Sequence, residues 1–257
     1  MNQEEEWLLA EKYHGDVNAE EFQNDCLRLS QGVPLAYLIG SIPFLNTTIH
    51  LDSHPLIPRT ETEYWVEKAI AEIQSHTSLP DTHSIRILDL CAGSGCIGVA
   101  VLKAVSVARV DFAEIDTRHH TTILKNLSIN NIDTSRAQIF GGSLFSEITG
   151  TFDFILTNPP YIDATLNRVS TNVSAHEPSL ALYGGTEGVD IITKIIESAS
   201  SFLTPTGVLY IEHEPEQSEY ICNLASKHGY ISSTYTDQFN VLRYTRITRA
   251  LTHSVSQ

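Results

Sequence analysis

Four consecutive residues near the middle of this 257-residue chain, Asn158-Pro159-Pro160-Tyr161, have types and order that could do chemistry. The Asn158 carboxamide offers a carbonyl acceptor, and the main-chain carbonyl of Pro159 offers a second. Two prolines fix φ and present that carbonyl rigidly. Tyr161 adds an aromatic wall for a planar group or a sulfonium methyl. The set suits an –NH2 bonded to a π-system, whose delocalised lone pair becomes available only when both N–H bonds are held. Methyl transfer from a sulfonium needs no covalent intermediate and no strong base. Positioning contributes up to about 7–11 kcal/mol to such a displacement, and fixed dipoles act where charge develops. Asn158, Pro159 and Tyr161 are therefore candidate catalytic residues, and Asn158 to Tyr161 together a candidate acceptor site. In isolation the tetrapeptide also reads as a turn, because Asn-Pro is turn chemistry.

A second constellation lies upstream. Asp89-Leu90-Cys91-Ala92-Gly93-Ser94-Gly95 ends an apolar run and opens a helical pattern. Its glycines allow a tight turn and close approach of a ligand to the backbone. Residues 93–98 also satisfy G-x-G-x-x-G, which taken alone is a weak dinucleotide signature and is equally compatible with a turn that binds nothing. Asp89 favours a sulfonium ligand, because its carboxylate can face a cationic amino-acid end whereas it would repel a pyrophosphate. Glu114, at the end of the next strand pattern, can accept from both hydroxyls of a ribose; it supports a nucleoside without choosing the cofactor.

The elements that must position these residues follow from periodicity. Residues 4–30 read as two short helices around Gly15, with too little apolar surface to stand alone. Residues 38–57 read as a β-hairpin, and Thr60-Glu61-Thr62-Glu63 opens a helix running to about residue 73. From residue 85 strands and helices alternate: strands at 85–90, 108–115, 137–140, 152–157, 207–212, 230–235 and 241–248, helices at 96–104, 117–129, 188–202 and 216–228. A polar loop is expected over 158–185. Alternating βα units predict a mostly parallel sheet with helices on both faces. Ligands of such sheets sit beyond the carboxyl ends of the strands, where both constellations fall.

Composition excludes several classes. Charged residues make up 18% and hydrophobic residues 42% of the chain, which describes a globular protein, and no apolar run approaches the length of a membrane span. The acidic start, residues 1–6, has neither the basic flank nor the Arg-rich pattern of a presequence. With 31 acidic against 16 basic side chains, a net charge of −15 argues against phosphate-backbone binding. The densest basic segment, residues 243–249, alternates as a strand does. Cys26, Cys91, Cys96 and Cys222 have no zinc-like spacing and read as reduced thiols. His119-His120 reads as a solvated helix face, so no metal is expected.

The chain resembles the glutamine-N5 methyltransferases of peptide chain release factors over nearly its whole length. The matching segments are Pro34 to Gly40, Leu56-Ile57-Pro58-Arg59-Thr60-Glu61-Thr62-Glu63, Ile87 to Gly95, Gly142-Ser143-Leu144-Phe145, Phe152 to Tyr161, Glu177 to Gly185, and Glu212-His213 with Gln217. Asn-Pro-Pro-Tyr is shared with adenine-N6 methyltransferases, which leaves a nucleic-acid enzyme as the alternative; the other segments are more specific.

The resemblance implies a seven-stranded Rossmann-like S-adenosylmethionine methyltransferase domain (residues 59–257), a small helical N-terminal domain (1–37) and a β-hairpin linker (38–58). It implies that Asp89, Cys91, Ala92, Gly93, Ser94, Gly95, Glu114, Leu144 and Asn158 contact the cofactor, while Asn158 to Tyr161 hold the glutamine of a release-factor Gly-Gly-Gln loop. Arg59 and Glu177 would line the substrate entrance. A cytoplasmic monomer with no membrane or direct nucleic-acid partner is expected. Three departures stand out: Ser143 where the family carries Asp, Cys91-Ala92 where it carries Gly-Thr, and a shorter N-terminal helical region.

Overall fold

The computed structural model describes residues 1–77, 84–166 and 170–250. Helix α1 (Gln3–Tyr13) starts at a reciprocal cap: the Asn2 side chain accepts from Glu5 N–H at 2.9 Å, and Glu5 accepts from Asn2 N–H at 2.8 Å. Helices α2 (Glu20–Ser30) and α3 (Leu35–Ile39) close over it around Leu8, Phe22, Leu29 and Leu38, a cluster separate from the main core. Because residues 35–39 wind into a short helix that stops on Gly40 (φ +89°), the hairpin begins at Ser41 and not at residue 38. Its strands β1 (Ser41–Phe44) and β2 (Thr47–His50) pair antiparallel.

The hairpin is latched to the body through side chains. Helix α4 (Thr60–Thr77), longer than expected, packs with it: Trp65 joins Phe44, Ile49 and Leu51 in one core. The free edge of β2 would leave backbone groups unpaired. Asn126 accepts from His50 N–H (2.7 Å) and donates to His50 O (3.1 Å), while Asn130 does the same with Thr48 (3.0 and 2.8 Å). Asn126 Nδ2 also donates to Ser94 O at 2.9 Å, which joins the hairpin to the glycine-rich loop.

The sheet comprises β3 (Ile85–Leu90), β4 (Ala108–Ala113), β5 (Ala137–Phe140), β6 (Phe152–Thr157), β7 (Leu203–Glu212), β8 (Tyr230–Thr236) and β9 (Leu242–Arg249), in the order β5-β4-β3-β6-β7-β9-β8. All neighbours are parallel except β9, which runs antiparallel between β7 and β8. Helices α5 (Cys96–Ala104) and α6 (Arg118–Ile129) follow β3 and β4, and α9 (Asp190–Phe202) and α10 (Ser218–Lys227) flank the other half. Helix α5 is apolar nearly all round because it is buried, and Gly98 is required there: a Cβ would lie 2.3 Å from the Phe112 ring. The expected loop over 158–185 is more folded than its polarity suggested. It holds a 3-10 turn (Ala164–Leu166) and the short helices α7 (Thr171–His176) and α8 (Ser179–Leu182), and an Ile162–Tyr183 bridge ties its ends. Residues 167–169 of that loop lie outside the described residues.

The strand order reverses between β3 and β6, the switch point at which such sheets bind ligands. The glycine-rich loop leaves β3 and Asn158 leaves β6. Thr157 Oγ1 donates to Leu90 O at 2.7 Å, so the last residues of the two strands are fastened together.

Candidate active site

Beyond the ends of β3 and β4 a cavity is lined by Cys91, Gly93, Glu114, Asp116, Leu144 and Asn158, among others. Glu114, only 6% exposed, is fixed by two main-chain donors: Oε2 accepts from Gly93 N–H (2.7 Å) and Oε1 from Asp116 N–H (2.8 Å). Each oxygen keeps lone-pair capacity beyond that bond, which matches a pair of adjacent ribose hydroxyls. The two loop glycines serve different ends. A Cβ on Gly95 would press on Ile123 and Phe112 at 3.1–3.3 Å, and its φ of +76° would strain any side chain, so packing and backbone both favour glycine there. A Cβ on Gly93 would meet only Pro55, at 4.0 Å, so that backbone lies open to the cavity. Cys91 (φ +62°) and Leu144 (φ +50°) both adopt the left-handed region on the cavity wall. Non-glycine residues held so cost about 1–3 kcal/mol each and concentrate at functional sites. The chemistry of this donor set fits the ribose of a nucleoside.

Four residues expected at the cofactor, Asp89, Ala92, Ser94 and Gly95, lie elsewhere than on the wall. Asp89 is fully buried behind the loop, where Oδ2 accepts from Gly98 N–H at 2.8 Å and Oδ1 has no protein partner. Burial pushes its carboxyl up to about 8. It thus braces the start of α5 and does not face the cavity. Ala92, Ser94 and Gly95 are buried in the loop as well. Conversely, His119 is no solvated helix face, as the sequence suggested: it is 4% exposed and lines the cavity beside Asp116 and Ser143. Its Nδ1 pairs with Ser53 Oγ at 2.8 Å, and burial pushes the ring down toward the neutral form. The signal missed was spacing: His119, Ile123 and Asn126 share the inward stripe of α6.

A second cavity adjoins the first at Asn158 and is lined by Pro159, Tyr161, Arg59, Ile162, Leu182 and Gln217 among others. Asn158 belongs to both walls and Pro160 to the first. Behind this loop stands Glu212, 1% exposed at the end of β7. Its Oε2 accepts from Trp65 Nε1 (2.6 Å) and Thr62 Oγ1 (2.8 Å), and its Oε1 accepts from Tyr161 OH (3.0 Å). Burial pushes the Glu212 carboxyl up, while those three donors pull against it. Asn158 Nδ2 donates to Thr62 Oγ1 at 3.1 Å. Gln217 Nε2 clamps the same loop through Tyr161 O at 2.8 Å.

Arg59 and Glu177, far apart in the chain, are brought together. Arg59 Nη2 lies 2.5 Å from Glu177 Oε1, and Glu177 Oε2 accepts from Ile57 N–H at 3.0 Å. Arg59 lines the second cavity, whereas the Glu177 side chain is buried as a strut beneath it.

The family model described as the methyltransferase small domain matches residues 75–176. The release factor glutamine methyltransferase of Salmonella typhimurium is 32% identical over 216 residues, covering 84% of this chain and 75% of that protein. That of Borreliella burgdorferi is 31% identical over 204 residues, covering 79% and 68%. Among solved structures, a methyltransferase from Pyrococcus furiosus superposes with a TM-score of 0.58 at 18% identity, over 88% of this chain and 98% of that one. The T. Thermophilus 16S rRNA N2 G1207 methyltransferase, solved with AdoMet and guanosine, gives 0.55 at 18% identity, over 82% and 50%. At such identity these two structures speak for the fold alone. Fold, cavity and sequence relatives together define an S-adenosylmethionine-dependent methyltransferase. Within that class the chain belongs to the release factor glutamine methyltransferase family.

Proposed function

We propose that this enzyme transfers a methyl group from S-adenosylmethionine to the N5 amide of the glutamine in the Gly-Gly-Gln motif of peptide chain release factors, and so modulates translation termination. The observation that carries the reading is the place of Asn158-Pro159 where the two cavities meet. Cys91, Gly93, Glu114, Leu144 and Asn158 would hold the cofactor, Glu114 at the ribose and Gly93 through its open backbone. Asp89, Ala92, Ser94 and Gly95 would act from beneath, by shaping the loop. The bound cofactor supplies an electrophilic methyl carbon.

The chain's own residues do the rest. The Asn158 side-chain carbonyl and the Pro159 main-chain carbonyl accept the two N–H bonds of the glutamine amide, and so hold it with its nitrogen lone pair facing the methyl carbon. Tyr161, held by Glu212, walls the planar group. The Arg59–Glu177 pair fixes the rim of the second cavity, where the release-factor loop would enter. Positioning and fixed dipoles carry the acceleration. The amide nitrogen would gain the methyl as the sulfonium C–S bond breaks, leaving a neutral thioether, and would then shed one N–H proton to water, so no strong base is required. Residues 1–37 would dock the release factor, residues 38–58 link them to the body, and residues 59–257 carry the catalysis. In this reading the enzyme works as a cytoplasmic monomer without direct nucleic-acid contact.

Incubation with methyl-labelled S-adenosylmethionine and a release factor tests this. Label on the Gly-Gly-Gln glutamine is expected. Label in DNA or RNA but not in protein would transfer the assignment to adenine-N6 methylation.

A further inference from the structure

Accepting Asn158 as the residue that holds the acceptor amide, we propose that Thr62 and Glu212 are positioning residues that set which way the Asn158 carboxamide points. The two ends of a carboxamide are nearly equal in size and opposite in function, one donating and the other accepting. Asn158 can hold an acceptor N–H only if its carbonyl end faces the acceptor. Because size does not distinguish the ends, hydrogen-bond direction has to.

The direction is set from the buried end of a short chain of contacts. The indole N–H of Trp65 can only donate, and it donates to Glu212 Oε2 at 2.6 Å. Tyr161 OH donates to Oε1 at 3.0 Å. As a carboxylate, Glu212 can only accept, so the single hydroxyl proton of Thr62 is committed to Glu212 Oε2 at 2.8 Å. Thr62 Oγ1 then has only lone pairs to offer Asn158, 3.1 Å away. The Asn158 group facing Thr62 must be the –NH2, and the carbonyl is the end left for the acceptor. The opposite arrangement would set two lone-pair-bearing oxygens against each other in a part-buried site, and leave the –NH2 facing the N–H bonds it should receive. The same carboxylate orients the Tyr161 hydroxyl, so one buried acid aligns both ends of the Asn-Pro-Pro-Tyr loop.

Thr62→Val, nearly isosteric, removes the hydroxyl; Thr62→Ser keeps it; Thr62→Ala repeats the deletion with a smaller side chain. For each, the thermal midpoint, the Kd for S-adenosylhomocysteine, kcat and KM for a release factor, and the side-chain 15N amide signals of Asn158 are measured. Loss of those signals in Asn158→Ala assigns them. We expect folded Thr62→Val and Thr62→Ala proteins to lose roughly 10²-fold in kcat, the scale of a small misplacement at a reacting centre. KM and Kd should stay within about twofold, the Asn158 amide signals should shift, and Thr62→Ser should restore both kcat and the signals. A Thr62→Val protein with wild-type kcat, or a kcat loss that Thr62→Ser does not repair, would overturn the proposal. So would unchanged Asn158 signals. Because the amide signals need no acceptor, they report on the relay even if wild-type enzyme fails to methylate the release factor, which separates this failure from failure of the assigned substrate.

Discussion

At the scale of single residues, a functional role and a bracing role are told apart by which side of the loop a side chain faces. Asn158 faces both cavities, so Asn158→Ala is expected to keep the fold, and some cofactor affinity, while turnover falls on the order of 10²-fold or more. Single-turnover kinetics beside a thermal scan checks this; unchanged turnover would remove Asn158 from its role. Asp89 faces the other way. With its carboxyl raised to about 8 by burial, it holds a proton in the folded chain at pH values where the unfolded chain has released it. Its contribution is fully present below the ordinary carboxylate pKa and is lost as pH rises through about 8. Asp89→Asn should therefore gain stability relative to wild type as pH is raised from about 5 to about 9 in urea titrations, and a pH-independent difference would contradict it. The Asn-Pro-Pro-Tyr and glycine-loop residues were legible because their chemistry is written in side-chain type. The facing of Asp89 was not, because a strand end gives no sign of which neighbouring backbone donor will claim a carboxylate. Thr62 and Glu212 were legible only as parts of matching segments, since 150 residues separate the two partners of that hydrogen bond.

At the scale of elements, the hairpin owes its place to α6 as much as to its own turn. Asn126 satisfies both backbone groups of His50 and also Ser94 O. Asn126→Ala would strand three part-buried groups, each costing about 1–3 kcal/mol when unpaired and unreached by water. A fall in unfolding free energy of roughly that size for one to two groups is expected from urea denaturation. The variant should also bind S-adenosylhomocysteine more weakly, because the glycine-rich loop loses its tie; a loss of stability with unchanged affinity would argue that the tie is only structural. Strand and helix periods disclosed β3 to β9 and the helices between them. The short helix α3 and the folded segment after Asn158 were missed because each is stabilised by contacts with distant segments, as with the Arg59–Glu177 strut, and not by its own pattern.

At the scale of the whole molecule, the acidic balance and the switch point act together. The basic residues of β9, the densest in the chain, are engaged internally: Arg243 with Asp237 at 3.1 Å, Arg246 with Glu72 at 2.6 Å, and Arg249 with Leu203 O at 3.1 Å. They brace the sheet. No helix among the described residues is long and apolar enough to cross a membrane. The three N-terminal helices share a cluster of their own, and Gly32 at the end of α2 lies against Asn172 of α7, beside the second cavity. That contact joins the helical region to the segment after Asn158. The most direct measurement is mass spectrometry of the Gly-Gly-Gln peptide from a release factor treated with enzyme and S-adenosylmethionine, with a factor carrying alanine in place of that glutamine as control. One added methyl group on the glutamine, absent from the control factor, is predicted. An unmodified glutamine after exposure to folded enzyme that binds S-adenosylhomocysteine would contradict it.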